Sequence, residues 1–372
     1  MSSVNPERQV RATKQLHDVG QSLWLDNITR GMLDAGTLKT YIRDLSITGL
    51  TSNPTIFDHA IRESAAYDAS ILRGSRAGKS VEDLFFDIAL EDLRRAADLL
   101  RPAWDRTGGV DGWVSLEVSP VVAYDTVRTI VAAQKLHGRA ERPNLLIKIP
   151  GTKQGLPAIE EAIFSGVPIN VTLLFSRGQY LAAADAFARG IERRVAAGLS
   201  AAVASVASVF VSRWDVAVSG KLPRELSGQL GIAMGKRTYK AYRAVLESPR
   251  WQRLYNEGAR PQRLLWASTV TKDPKASDTL YVEGLAAPFT VDTMPDSTLE
   301  AFADHGSVLG VLPVDGGDGE HVLARIAEAG IDIDALGAQL QEEGTKSFVK
   351  SWDDLMTIIS AKSQALQKAS NR

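Results

Sequence analysis

The segment NLLIKIPGT, residues 144–152, reads as a buried strand with a lysine, Lys148, at its centre. Lysine is among the residues least often taken fully out of water. Burial disfavours the charged ammonium and leaves a nucleophilic amine. Such an amine condenses with a carbonyl substrate to a Schiff base, an electron sink for breaking the adjacent C–C bond. That chemistry needs proton donors and acceptors close by, and other apolar segments carry them. WVSLEV (113–118) holds Glu117, INVTLLF (169–175) holds Asn170 and Thr172, and LWLDN (23–27) holds Asp26. GLTSN (49–53) holds Thr51 and Asn53, SVFVS (208–212) holds Ser208, and LLWAST (264–269) holds Ser268. Two carboxylates and a threonine hydroxyl of this kind supply general acid and base groups.

Taken singly, most of these residues have a plainer reading. Lys148 alone reads better as a strand-end lysine snorkelling to solvent. Asp26 alone reads as a loop-capping carboxylate, and Thr172 as an ordinary strand residue. Asn53 precedes Pro54 and equally fits the N-cap of a helix. Glu117 is harder to dismiss, because a buried carboxylate needs a partner. The constellation, not any one member, points to an enzyme.

The elements that must position these groups follow from alternation, since successive strand residues face opposite sides. Leu145, Ile147 and Ile149 oppose Leu146 and Lys148; Val114, Leu116 and Val118 oppose Trp113, Ser115 and Glu117. Ile169, Val171 and Leu173 oppose Asn170 and Thr172. By the same rule Asp26 lies with Trp24, Asn53 with Thr51, Ser208 with Phe210, and Ser268 with Trp266. With FTVDTM (289–294) there are eight such strands, separated by amphipathic helices. One helix follows Ser80 as N-cap, one follows Ser176, and one covers 231–247. Eight alternating pairs predict an α/β fold, a closed (β/α)8 TIM barrel, whose active site lies at the C-terminal strand ends. The expected organisation is a single barrel domain over 1–372. It carries an N-terminal helical extension over 1–20 (Asn5 as cap, Pro6 at the first helical position), extra helices within 213–262 and C-terminal helices over 316–372.

Composition removes competing classes. The 372 residues include 43 basic and 44 acidic ones, a net charge of -1, so no basic field invites nucleic acid. There is no cysteine, which removes disulfides and thiolate catalysis and fits a reducing compartment. The five histidines, at 17, 59, 137, 305 and 321, lack ligand spacing, so no metal and no cofactor is expected. The first residues carry no apolar signal core, and the longest small-apolar run, Ala201 to Val211, is too short to cross a bilayer. A soluble cytoplasmic protein is expected. GIAMGKRT (231–238) lacks P-loop spacing, and DGGDG (315–319) reads as a turn.

The ordered segments LWLDNITRGML, GLTSNPTIF, SLEVSP, LLIKIPGT, PINVTLLFS, SVFVSRWD, LLWASTVTKDP and FTVDTMP resemble the transaldolase family, in its longer bacterial and plant-like branch, over most of the chain. The resemblance implies a metal-free class I mechanism. Dihydroxyacetone passes from sedoheptulose 7-phosphate to glyceraldehyde 3-phosphate, giving erythrose 4-phosphate and fructose 6-phosphate in the non-oxidative pentose phosphate pathway. It places the Schiff-base lysine at Lys148, and the acid/base group at Glu117, Thr172 and a bound water. Asp26 takes the C4-hydroxyl proton. Asn53 and Asn170 bind the dihydroxyacetone hydroxyls, with Thr51 beside Asn53, and Ser208 and Arg213 bind substrate. Phe210 falls at an aromatic position where the small fructose 6-phosphate aldolases of the same superfamily tend to carry tyrosine.

One motif departs from that pattern. Many family members have Ser-x-Arg after the seventh strand, whereas Ser268 is followed by Thr269, Val270, Thr271 and Lys272. Barrel enzymes often hold phosphate near the loops after strands seven and eight. The expected clamp is therefore Arg213, Ser268 and Lys272, with Lys272 equally readable as a solvated loop lysine. Two rival functions stand beside the transferase: an aldolase of the same fold that releases free dihydroxyacetone, and a non-catalytic sugar-phosphate sensor. The expected assembly is a monomer or homodimer.

Overall fold

Short apolar runs become strands here because helices cover one side of each and a packed barrel covers the other. The computed structural model describes residues 11–370. The strands are β1 (Ser22–Leu25), β2 (Ile47–Thr51), β3 (Val114–Glu117), β4 (Leu145–Pro150), β5 (Ile169–Leu174), β6 (Ser205–Phe210), β7 (Gln262–Ala267) and β8 (Val291–Met294). All pair in parallel and in chain order, and β8 returns to β1, closing an eight-stranded barrel. The helices start where the sequence places their caps. The Ser80 side chain accepts from the Asp83 N–H at the head of Val81–Arg106. Ser176 and Gln179 form a reciprocal capping box at the head of Arg177–Ala196.

Alternation divides the apolar residues between two cores. Val114, Leu116, Leu145, Ile147, Ile149, Ile169 and Val171 pack outward against the helices. Trp24, Trp113, Leu146, Val206, Leu265 and Val291 fill the barrel interior. At the N-terminal end of the barrel, buried Asp111 accepts from Ser22 and from Trp24 Nε1 (2.9 Å). Arg263 donates to Ser22 Oγ and to the Thr290 carbonyl, each at 2.7 Å. This network ties the starts of β1 and β7 to the segment before β3 and fills the lower barrel, leaving the other end for chemistry.

Strict alternation fails at two places. Leu173 has φ +58°, and the β5–β6 register shifts between Val171 and Leu174. Leu173 therefore turns into the inner core, and Leu174 takes the outward position expected of it. Trp266 also points outward, its Nε1 donating to the Leu285 carbonyl at 3.0 Å. It does not share an inner face with Ser268. Ser268 has φ +56°, so a left-handed residue just beyond β7, not the strand period, brings it to the barrel mouth.

The added segments are largely helical. Near the N-terminus a helix spans Ala12–Asp18; the cap expected at Asn5 and Pro6 lies outside the described residues. Between β6 and β7 lie Ser212–Ala217, Leu230–Glu247 and Pro249–Asn256. The GIAMGKRT segment falls in the second of these. Gly316 and Gly317 both have positive φ, as a DGGDG turn requires. The chain closes with Gly319–Glu328 and the 38-residue helix Ile333–Ser370. That last helix crosses the C-terminal end of the barrel. Gln341 Nε2 donates to the carbonyls of Gly151 (3.1 Å) and Leu173 (2.9 Å), beyond β4 and in β5. At the far side Trp352 meets Phe85 edge-on at 5.2 Å, and Lys362 donates to the Ser64 carbonyl at 2.8 Å. Gly344 permits the close approach between these anchors: a Cβ there would lie 3.0 Å from Leu173 Cδ2. No helix among the described residues is long and apolar enough to cross a membrane.

Asp292, on the outer face of β8 level with Trp266, is fully buried. It accepts one hydrogen bond, from Thr269 Oγ1 at 3.1 Å, while Oδ2 has no partner among the described residues. Burial without a cation pushes its carboxyl up to about 7. A raised folded-state value means that the stability contribution is full below the ordinary carboxylate range and is lost as pH rises through about 7. Asp292→Asn should therefore gain stability over the parent between about pH 5 and about pH 8, on the order of 3 kcal/mol. Urea denaturation midpoints at the two pH values check this, and a parallel pH dependence in both proteins would refute it.

Candidate active site

Three neighbouring strands build the centre of the site. Parallel register places Glu117 of β3 beside Lys148 of β4, and Lys148 beside Asn170 of β5. Thr172 stands one inward position further along β5, opposite Pro150. Each is on the inner face of its strand, and all four are buried. Lys148 is 5% exposed, so the lysine in the middle of a strand is not a snorkelling one. Its Nζ lies 3.4 Å from Glu117 Oε2 and donates to the Ser52 carbonyl at 3.3 Å.

Burial sets the proton affinities. The Glu117 carboxyl is pushed up to about 7 by burial, with the charge of Lys148 pulling the other way. The contact with Lys148 is an ion contact without hydrogen-bond alignment: neither Glu117 oxygen has a hydrogen-bond partner among the described residues, and neither does Thr172 Oγ1. Buried polar atoms are nearly always partnered, by protein or by ordered water. Asp26 is likewise raised by burial, and Lys148 and a hydrogen bond from Thr51 Oγ1 (2.7 Å) oppose the rise. Thr51 also meets Thr293 Oγ1 of β8 at 2.7 Å. Asn170 is held at both ends of its amide, donating to Ser115 Oγ at 3.1 Å and accepting from Ser208 Oγ at 2.7 Å.

Above this floor is a cavity of about 560 Å³. Asp26, Thr51, Asn53, Lys148, Thr172, Ser208, Phe210, Arg213, Ser268 and Lys272 all border it. Glu117 and Asn170 do not; they lie behind its wall, in contact with Lys148 and Ser208. Asn53 serves in two ways, because its Oδ1 caps the helix Pro54–Glu63 at 3.1 Å from the Ile56 N–H while the residue also borders the cavity. Arg213 lies against the Phe210 ring (5.4 Å) and has no carboxylate within ion-pair distance among the described residues. Ser268 Oγ meets Ser212 Oγ at 3.0 Å, and Lys272 is exposed in the following loop. No group of three or more metal-ligating side chains occurs among the described residues.

Several bordering residues escape the strand pattern. Thr293 lies on the inner side of β8 and was accessible to the same alternation argument. His59 comes from the helix after β2, and Thr269 from the loop after β7. The residue with the least sequence signal is Phe348 of Ile333–Ser370, whose ring centroid lies 5.7 Å from Lys148 Nζ. The arrangement offers an amine, two carboxyls of raised proton affinity, hydroxyl and amide groups for a polyol, and a free guanidinium for an anion.

Residues 23–359 match the family model described as Transaldolase/Fructose-6-phosphate aldolase. The chain is 45% identical over 359 residues to a protein of Parafrankia sp. named Transaldolase, covering 93% of this chain and 97% of that one. It is 45% identical over 356 residues to the Transaldolase of Thermobifida fusca, with 92% and 96% covered. It is 40% identical over 372 residues to Transaldolase 2 of Nostoc punctiforme, with 95% and 97% covered.

Because the Lys148 charge lowers the proton affinity of Glu117, its removal should do the reverse. In Lys148→Met the Glu117 carboxyl should titrate above about 7. Infrared titration of the carboxyl stretch, referenced to the Glu117→Gln protein, reads this directly. A titration that moves down, or stays where it was, would show that the two groups are not coupled as their 3.4 Å separation implies.

Proposed function

The chain belongs to the transaldolase/fructose-6-phosphate aldolase family and is an enzyme of the transferase class; from that premise we propose that Lys148 carries a dihydroxyacetone unit as a Schiff base between two sugar phosphates. The donor is sedoheptulose 7-phosphate and the acceptor glyceraldehyde 3-phosphate, with erythrose 4-phosphate and fructose 6-phosphate as products, in the non-oxidative pentose phosphate pathway. The observation that carries this reading is a buried amine bordering a cavity of about 560 Å³, 3.4 Å from a buried carboxyl that burial pushes up to about 7.

The geometry suits the steps in turn. Lys148 Nζ attacks the donor ketone, and carbinolamine formation and its loss of water need a group that both gives and takes protons. Glu117, poised near neutrality, does so through a water held between its carboxyl and Thr172 Oγ1. The unpartnered state of those atoms supports a water at that place. Asp26 then takes the C4-hydroxyl proton as the C3–C4 bond breaks, with the iminium as electron sink. Asn53, Asn170, Ser208 and Thr51 orient the three-carbon unit. Arg213 and Ser268 hold the phosphate, with Lys272 at the rim; an arginine grips phosphate through two parallel hydrogen bonds, a lysine as a point charge. Phe210 offers a ring without a hydroxyl beside the cavity, which favours transfer over release to water. The enzyme works in the cytoplasm, as a monomer or homodimer.

Borohydride reduction in the presence of fructose 6-phosphate should trap a dihydroxyacetone adduct on Lys148. Lys148→Arg keeps the charge but not the amine, and should lose both adduct and turnover. An adduct on another lysine, or none in the parent, would overturn the reading, the latter in favour of a sensor.

The phosphate clamp has its own test. Arg213→Ala should raise KM for fructose 6-phosphate by roughly 10–100-fold and leave the weak reaction with free fructose unchanged. Lys272→Ala should give a smaller change of the same kind. Equal losses on both donors would remove the residue concerned from the clamp.

A further inference from the structure

The three-carbon unit left on Lys148 after the first cleavage has two exits, and one aromatic ring lies over the nitrogen where they diverge. Phe348 reaches the site from Ile333–Ser370, with its centroid 5.7 Å from Lys148 Nζ, within the range of a cation–π contact. The residue is 6% exposed. It packs edge-on against Phe210 at 6.5 Å, which in turn leans on Phe175 at 5.3 Å. Gln341 pins the helix two turns before it, Gly344 lets the backbone close in on Leu173, and Trp352 pins it one turn beyond. The ring is thus held firmly in place, yet it has no donor or acceptor with which to move a proton or bind a hydroxyl. Lys148 is approached by polar groups elsewhere: Glu117 Oε2 and the Ser52 carbonyl.

We propose that Phe348 sets the ratio of transfer to release, by keeping bulk water from the Lys148 nitrogen and its attached carbon while the acceptor is awaited. This rests on the Lys148 imine proposed for the reaction. In transfer, the enamine carbon bonds to the acceptor aldehyde, and hydrolysis of the resulting imine frees the ketose. In release, the enamine carbon takes a proton instead. Water then adds to the iminium carbon, the C–N bond breaks, the water oxygen becomes the ketone oxygen of dihydroxyacetone, and Lys148 leaves as the ammonium. Both routes end in hydrolysis, but only release can begin before an acceptor arrives. Water delivered from the Glu117 and Thr172 side serves the productive step. A dry Phe348 side removes the second approach, and water exclusion is a recognised means of protecting a reactive intermediate.

The test measures free dihydroxyacetone and transfer product together, with fructose 6-phosphate as donor and erythrose 4-phosphate as acceptor. Phe348→Leu, Phe348→Val and Phe348→Ala form a series of shrinking cover. The release-to-transfer ratio should rise along it, by about tenfold at alanine. Because both products come from the same active molecules, the ratio is unaffected by partial unfolding; if the alanine protein fails to fold, the leucine and valine proteins decide. Both activities falling together at constant ratio would assign Phe348 a merely structural role, and an unchanged ratio at full activity would deny it any. The trapped adduct separates the two levels: with the parent adduct on Lys148, a flat ratio overturns this inference alone, whereas a parent adduct elsewhere overturns it together with the imine.

Discussion

A lysine and a glutamate side by side inside a barrel form the constraint around which the upper half of this molecule is organised. The Lys148–Glu117 contact sits in a medium where an isolated charge is very costly, so each group needs the other. Burial alone would hold the Glu117 carboxyl protonated, and Lys148 draws it back to near neutrality. Parallel register fixes the pair, since β3 and β4 align the two residues without any loop having to place them. Asn170 completes the row from β5, its amide clamped at both ends. A polar layer of this kind is tolerable because the layers beneath it are apolar, and because the base of the barrel is tied by the Asp111 network.

The other ionisable groups of the barrel are placed by different means. Asp292 faces outward with a single hydrogen bond and no cation, and takes no part in the cavity. Its burial pushes its carboxyl to about the same value as that of Glu117. Similar proton affinities thus arise beside the cavity and away from it, and geometry separates the two groups: of the pair, Glu117 alone faces an amine.

How far this could be read from sequence depended on what kind of signal each residue left. Strand period sufficed for Lys148, Glu117, Asn170 and Ser208, because β3, β4 and the relevant parts of β5 and β6 are regular. It failed at Leu173 and between Trp266 and Ser268, where a positive φ flips the side chain and no glycine announces the turn. Asn53 was legible as a helix cap, a role that does not exclude binding; the structure shows the cap and sets the residue at the cavity edge. Phe348 left no mark at all. Which face of a long helix meets the barrel depends on distant anchors such as Gln341 and Trp352, and on contacts spanning some two hundred residues of chain. Local pattern carries no information at that range.

The crossing helix at the end of the chain also imposes an order of events during synthesis. The barrel cannot close until β8 has emerged to pair with β1, a pairing between the two extremes of the sheet in sequence. Such long-range closure is slow and late. Ile333–Ser370 comes later still, so Lys148, Glu117 and the strands that carry them are all translated before the Phe348 ring that lies beside them. A ribosome-bound chain thus holds the Lys148–Glu117 pair long before the ring beside it, and the cavity wall is completed only once Ile333–Ser370 has emerged.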